Sequence, residues 1–179
     1  MNNFPIGTEI SLTKKVCSDI ISEMGTSTDK FLYFIETGTY CGCTLWEMKD
    51  LFKTCISIEL SDLYFNYSIE KFKNCNNVSI YKGNSGELLV EIFDSYDIKE
   101  NAIIFLDGHF SGEMTARGEE DTPLIKEITH IINKNIKNSI IIIDDCNLYE
   151  IVYSGEIERM LSDRIKCKIV KDRKMCFLI

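Results

Sequence analysis

Asp107, Asp144 and Asp145 are the side chains of this sequence with the most chemistry to offer. Each acid or acid pair follows a short apolar run, AIIFL before Asp107 and SIIII before Asp144. If those runs are neighbouring parallel strands, about 4.8 Å apart, their ends bring three carboxyls within reach of one ion. Without a cation such a group repels itself, and one member keeps its proton. An oxygen-only set suits Mg²⁺ or Ca²⁺ rather than zinc. The plainer alternative is that Asp107 orients a ligand while Asp144 and Asp145 cap the segment that follows.

A second constellation lies earlier, in Glu36-Thr37-Gly38-Thr39-Tyr40-Cys41-Gly42 with Thr44 just beyond. The two glycines permit close backbone approach, and a helix starting after them would aim free N–H groups at a carboxylate or phosphate. A pair of glycines is equally the mark of a plain turn. Glu59 makes the case stronger. It ends the run CISIE, 23 residues after Glu36, where an acid closing a second strand accepts hydrogen bonds from both hydroxyls of a ribose. That spacing points to an adenosine-containing ligand.

These residues need elements to carry them. Apolar positions Ile10, Leu12, Val16, Ile20, Ile21 and Met24 predict a helix over 9–25, ended by Gly25. Strands are then predicted at 31–36, 55–60, 78–82, 102–107 and 139–144, with helices at 42–52, 61–74, 85–93, from Thr122-Pro123 to about 135, and 155–164. Two strands, 167–171 and 175–179, close the chain across a tight turn at Asp172-Arg173. Five strand-then-helix steps with near-continuous apolar strands mean an α/β fold with a parallel sheet covered on both faces. The final hairpin demands one antiparallel strand. Nothing suggests a boundary, so 1–179 reads as one domain, a helical segment over 1–28 preceding a sheet over 29–179. In such a sheet ligands bind beyond the carboxyl ends of the strands. There stand Glu36 to Gly42, Glu59, Gly83-Asn84-Ser85, Asp107-Gly108-His109 and Asp144-Asp145.

The ordered set resembles the class I S-adenosylmethionine-dependent methyltransferases across about residues 30–179. The resemblance implies a Rossmann-like doubly wound sheet of seven strands, order 3-2-1-4-5-7-6, with the last strand antiparallel. It also implies a cofactor site in which Glu36, Gly38, Thr39, Tyr40, Gly42 and Thr44 hold the amino-acid part. Glu59 would hold the ribose, Asn84 and Ser85 would lie beside the adenine, and Asp107 would also bind the cofactor. Asp107, Asp144 and Asp145 further resemble the acids of the catechol- and sugar-O-methyltransferase branch, where a divalent metal grips an acceptor hydroxyl. That branch has a lysine three residues after its first acid, and here the position is Phe110. His109 is therefore the candidate general base, with Asp107 as its catalytic companion. His130, mid-helix, reads as packing or surface, and Trp46 as core. Residues 110–121 are long and polar enough for a lid, in which Arg117 is the one cation.

Composition narrows the partners. Twenty basic and 28 acidic residues leave a net charge of −8, which argues against nucleic acid. No apolar run is long enough to span a membrane, and the first residues do not form a secretory signal. The eight cysteines are accordingly expected as reduced thiols of a cytoplasmic protein. The expected reaction is methyl transfer to a hydroxyl of a small molecule or sugar. Its acceptor pocket would be built from the first helix, the 110–121 stretch and a second subunit of a homodimer. Two rivals stay open. One is an NAD-binding oxidoreductase, although Tyr40 falls where its phosphate loop wants a glycine, and the other is a non-catalytic metabolite-binding protein.

Overall fold

The computed structural model describes residues 10–108, 122–145 and 155–179. The sheet is a seven-stranded one, built from β1 (Tyr33–Thr37), β2 (Thr54–Glu59), β3 (Val78–Lys82), β4 (Ala102–Leu106), β5 (Ile140–Ile143), β6 (Cys167–Lys171) and β7 (Lys174–Leu178). Its order is β3-β2-β1-β4-β5-β7-β6. β1 to β5 run parallel, and β7 runs antiparallel to both of its neighbours. This is the doubly wound order expected from the sequence.

The apolar strands do not alternate with polar residues because both faces are covered. Along β1, Phe34 points to one layer and Ile35 to the other; Ile103 and Ile104 divide in the same way on β4, as do Ile142 and Ile141 on β5. The first layer packs α1 (Lys14–Glu23), α2 (Cys43–Met48) and α3 (Asp62–Phe72) through Cys17, Ile20, Leu45, Met48 and Phe72. The second packs α4 (Ser85–Ser95), α5 (Leu124–Asn133) and α6 (Glu156–Leu161) through Leu89, Phe93, Ile128, Ile131 and Leu161. Each such side chain removed from water contributes roughly 1.5–3 kcal/mol. The four isoleucines of β5 are all buried and form the sheet's most apolar strand.

Element ends differ from expectation by a few residues, each for a local reason. α1 begins at Lys14 because Thr13 caps it, its side chain accepting from Val16 N–H. α2 stops at Met48, and Asn77 then bonds the carbonyls of Lys49 and Phe52 to hold the exit turn. Pro123 takes the cap position of α5 rather than its first turn, and Thr122 Oγ1 accepts from Leu124 N–H. Trp46, expected in the core, is 46 % exposed, with the Lys49 ammonium 4.3 Å above its ring.

The parallel ladder continues one step past each strand. Gly38 N–H bonds Ile58 O, Gly83 N–H bonds Glu59 O, Asp107 N–H bonds Thr37 O, and Asp144 N–H bonds Leu106 O. Those steps align Gly38, Gly83, Asp107 and Asp144 along one edge. Gly38 sits at φ +82°, and a Cβ there would lie 2.4 Å from the Asp107 carbonyl oxygen. Gly25 has a similar φ of +74° but open space around it. Urea unfolding should therefore separate the two. Gly25→Ala is expected to cost about 1 kcal/mol, the left-handed penalty alone. Gly38→Ala is expected to cost at least about 3 kcal/mol, because a backbone clash adds to that penalty.

Candidate active site

The loop after β1 is fastened from below and from the side. Glu36, 1 % exposed, accepts a hydrogen bond from Ser57 Oγ at 2.6 Å, and Thr39 Oγ1 lies 2.6 Å from the same hydroxyl. Tyr40 has φ +47° and packs its ring on Tyr64 at 4.4 Å between centroids. From α3, Ser68 donates to Tyr40 O, and the Lys71 ammonium donates to Cys41 O at 2.7 Å and Gly42 O at 3.1 Å. Gly42, at φ +64°, backs onto Phe72, where a Cβ would meet the ring at 2.7 Å. Thr44 is buried and its Oγ1 accepts from Leu12 N–H, tying the segment before α1 onto α2. Gly42 and Thr44, expected to face a ligand, are thus engaged by protein.

Glu59 closes β2 with its carboxylate held by two backbone amides, Tyr40 N–H to Oε2 and Ser61 N–H to Oε1, both at 2.7 Å. The backbone amides of Thr39 and Leu60 also bond this carboxylate, so the clamp fixes its orientation. Burial raises its pKa, against the pull of those amides. Glu36 is raised well above the usual range, first by burial and further by the charges of Asp107 and Glu59. Asp107 is half-buried, is bonded by the Ser11 side chain and is also raised well above its usual value, by burial first and then by Asp144. Glu36 at the end of β1 thus lies within Coulombic reach of both Glu59, at the end of β2, and Asp107, just after β4.

A buried polar cluster lies beside them. Glu127 of α5 is 1 % exposed, and the hydroxyls of Ser85 and Thr37 bond its carboxyl. Its Oε1 has no hydrogen-bond partner among the described residues. Burial pushes its pKa up to about 7, against the bonds from those two hydroxyls. Thr37 Oγ1 in turn accepts from Asp107 N–H at 3.2 Å. Asn84 caps α4 through Gly86 N–H, and His130 Nε2 meets Gly86 O at 2.8 Å. Glu127 therefore steadies two turns of the edge at once, one through Thr37 and one through Ser85.

At the end of β5 the acids take a different course from the one expected. Asp144 pairs with Lys174 at 2.9 Å, both side chains being 5 % exposed. Asp145, at φ +45°, lies 3.6 Å from Arg173. Among the described residues no three His, Cys, Asp or Glu side chains are grouped so as to hold a metal ion. Asp107, Asp144 and Asp145 as they stand do not fit a divalent cation. His109, Arg117 and the 110–121 stretch lie outside the described residues.

Ser57, Glu127, Lys174 and Lys71 escaped the sequence reading, although three left a trace. Ser57 breaks an apolar strand. Glu127 breaks the buried stripe Leu124, Ile128, Ile131 of α5. Lys174 follows the hairpin turn, where antiparallel register carries it opposite the acids after β5.

No protein-family model matches the chain, and no curated protein matches it in sequence. Solved structures do share its fold. A Staphylococcus aureus protein assigned as a caffeoyl-CoA O-methyltransferase superposes with a TM-score of 0.59 and 15 % identity, over 96 % of this chain and 83 % of that one. The N-methyltransferase NodS of Bradyrhizobium japonicum, in complex with S-adenosyl-L-homocysteine, gives 0.57 and 8 % over 98 % and 92 %. An rRNA methylase of Streptococcus thermophilus gives 0.57 and 13 % over 96 % and 100 %. At these identities the likeness is one of fold.

The buried acid on α5 makes a measurable contribution to stability. The folded pKa of Glu127 lies above its unfolded value near 4.5, so the native state binds more protons between those values. Its contribution is fully present below the unfolded pKa and is lost as pH rises through about 7. The span corresponds to on the order of 3 kcal/mol. Glu36 and Asp107 act in the same sense, so the difference between two proteins is the informative quantity. Glu127→Gln, a neutral isostere, should gain stability relative to the parent as denaturant unfolding is moved from pH 5 to pH 8.

Proposed function

We propose that the chain is an S-adenosylmethionine-dependent methyltransferase acting on a hydroxyl of a small molecule or sugar. The observation that carries this reading is the gathering of Glu36, Glu59 and Asp107 at the ends of adjacent strands, each with a raised pKa. Clustered carboxyls at a ligand edge suit a ligand that brings positive charge, and a sulfonium beside an ammonium does so. A dinucleotide would bring a diphosphate to the same acids, which disfavours the oxidoreductase reading. The fold is shared with proteins described as O-, N- and rRNA methyltransferases. A net charge of −8 favours a small acceptor over RNA.

When bound, the cofactor supplies a methyl group on sulfur, open to in-line displacement by an acceptor oxygen. The chain's own residues have separate tasks. Glu59, preset by the amides of Tyr40 and Ser61, would accept from the two ribose hydroxyls. Glu36 and Asp107 would take the ammonium end, with Gly38 between them as the close-packed floor. Asn84 and Ser85, at the start of α4, would border the base. Ser11, bonded to Asp107, brings the segment before α1 to the acceptor side. His109 follows Asp107 by two residues and is the proposed acceptor of the hydroxyl proton.

Binding a cation beside acids whose pKa is raised pulls that pKa down and releases protons. Calorimetry with S-adenosylmethionine should therefore show an enthalpy that varies with the ionisation heat of the buffer, with affinity rising as pH is raised. Glu59→Ala should weaken binding by about 10- to 100-fold, as expected for lost hydrogen bonds to a charged group. NAD should give no heat. Absence of heat with S-adenosylmethionine, or an unchanged affinity in Glu59→Ala, would overturn the reading.

A further inference from the structure

The terminal hairpin sets two basic residues against the two acids that follow β5. Its turn residues Asp172 and Arg173 have φ +47° and +63°, the pair of left-handed values a tight two-residue hairpin turn requires. The β5–β7 register pairs Ile143 with Met175, so the next step brings Asp144 opposite Lys174. The Lys174 ammonium lies 2.9 Å from Asp144 Oδ1 and also donates to Asp172 O at 3.2 Å. Among the described residues Asp144 Oδ1 accepts no aligned hydrogen bond, so its contact with Lys174 is a close Coulombic pair rather than a directed bond. Arg173, 61 % exposed and 3.6 Å from Asp145, adds little in water. Lys174 differs because it is buried and also within Coulombic reach of Asp107.

A divalent ion held by Asp144 would have to expel this buried ammonium or sit beside it against like-charge repulsion. We propose that Lys174 is the resident cation of this edge, a positioning residue that compensates Asp144 and Asp107 where a divalent metal would otherwise be needed. The site then works without metal. This rests on the transferase reading in one respect only. With no Lewis acid to lower the pKa of an acceptor hydroxyl, the proton must leave to a side chain or the acceptor must be acidic by itself.

The test uses the full chain alone, with no methyl donor, so its failure is distinct from failure of the transferase reading. Millimolar MgCl₂, CaCl₂ or MnCl₂ should leave the melting temperature of the wild-type protein within about 1 °C of its value in EDTA, since no native site is there to be filled. Lys174→Met should lower the melting temperature by roughly 10 °C by stranding a buried carboxylate. The double variant Lys174→Met/Asp144→Leu should regain at least half of that loss, because removing both charges leaves nothing unpaired. The inference is overturned if a divalent ion raises the wild-type melting temperature by several degrees and Asp144→Asn abolishes the rise. It is also overturned if Lys174→Met melts like the wild type. If the single variant does not fold, the wild-type metal titration and the double variant still decide.

Discussion

Carboxyl groups crowded at the C-terminal edge of a parallel sheet must each be reconciled with burial, and this chain does so in four ways. Glu36 takes a hydroxyl donor from Ser57. Glu59 takes backbone amides. Glu127 takes two hydroxyls, has one oxygen without a partner among the described residues and holds its proton toward neutral pH. Asp144 takes a buried lysine. The choice follows from what each strand end can reach. β1 and β2 have loops and hydroxyls beside them, α5 faces the starts of α4 and of the loop after β1, and β5 alone borders the antiparallel hairpin.

The remainder of the architecture keeps those groups in place. Lys71 and Ser68 of α3 bond three consecutive carbonyls of the loop after β1, and Phe72 backs its second glycine. The segment before α1 is stitched to α2 through Leu12 and Thr44 and reaches Asp107 through Ser11. An edge gripped from both layers in this way has its acids set before any ligand arrives, which spares the ordering cost of assembling them at binding. Glu59 shows the principle most directly, because its amide donors come from the loop after β1 and from its own strand end.

Most of the fold was legible in the sequence, and the reasons are physical. Strands buried on both faces appear as unbroken apolar runs, and a turn too short for a crossover forces an antiparallel partner. The edge position of Glu36, Gly38, Glu59, Asn84 and Asp107 followed from strand ends alone. Trp46 was misjudged because hydrophobicity alone does not say which side of a short helix faces out. The metal trio was inferred from strand spacing, a measure that locates Cα atoms and says nothing of the side chains arriving from the other neighbour of β5.

The linear sequence thus determined the order of elements, the two apolar layers and the edge on which polar residues collect, because those depend on periodicity and chain connectivity. The pairing of each acid was decided by tertiary structure. Ser57 lies 21 residues from Glu36, and Lys174 lies 30 from Asp144. A carboxyl's state of charge depends on what stands within a few ångströms of it, and only the folded register brings a lysine from the last hairpin to the acid at the end of β5.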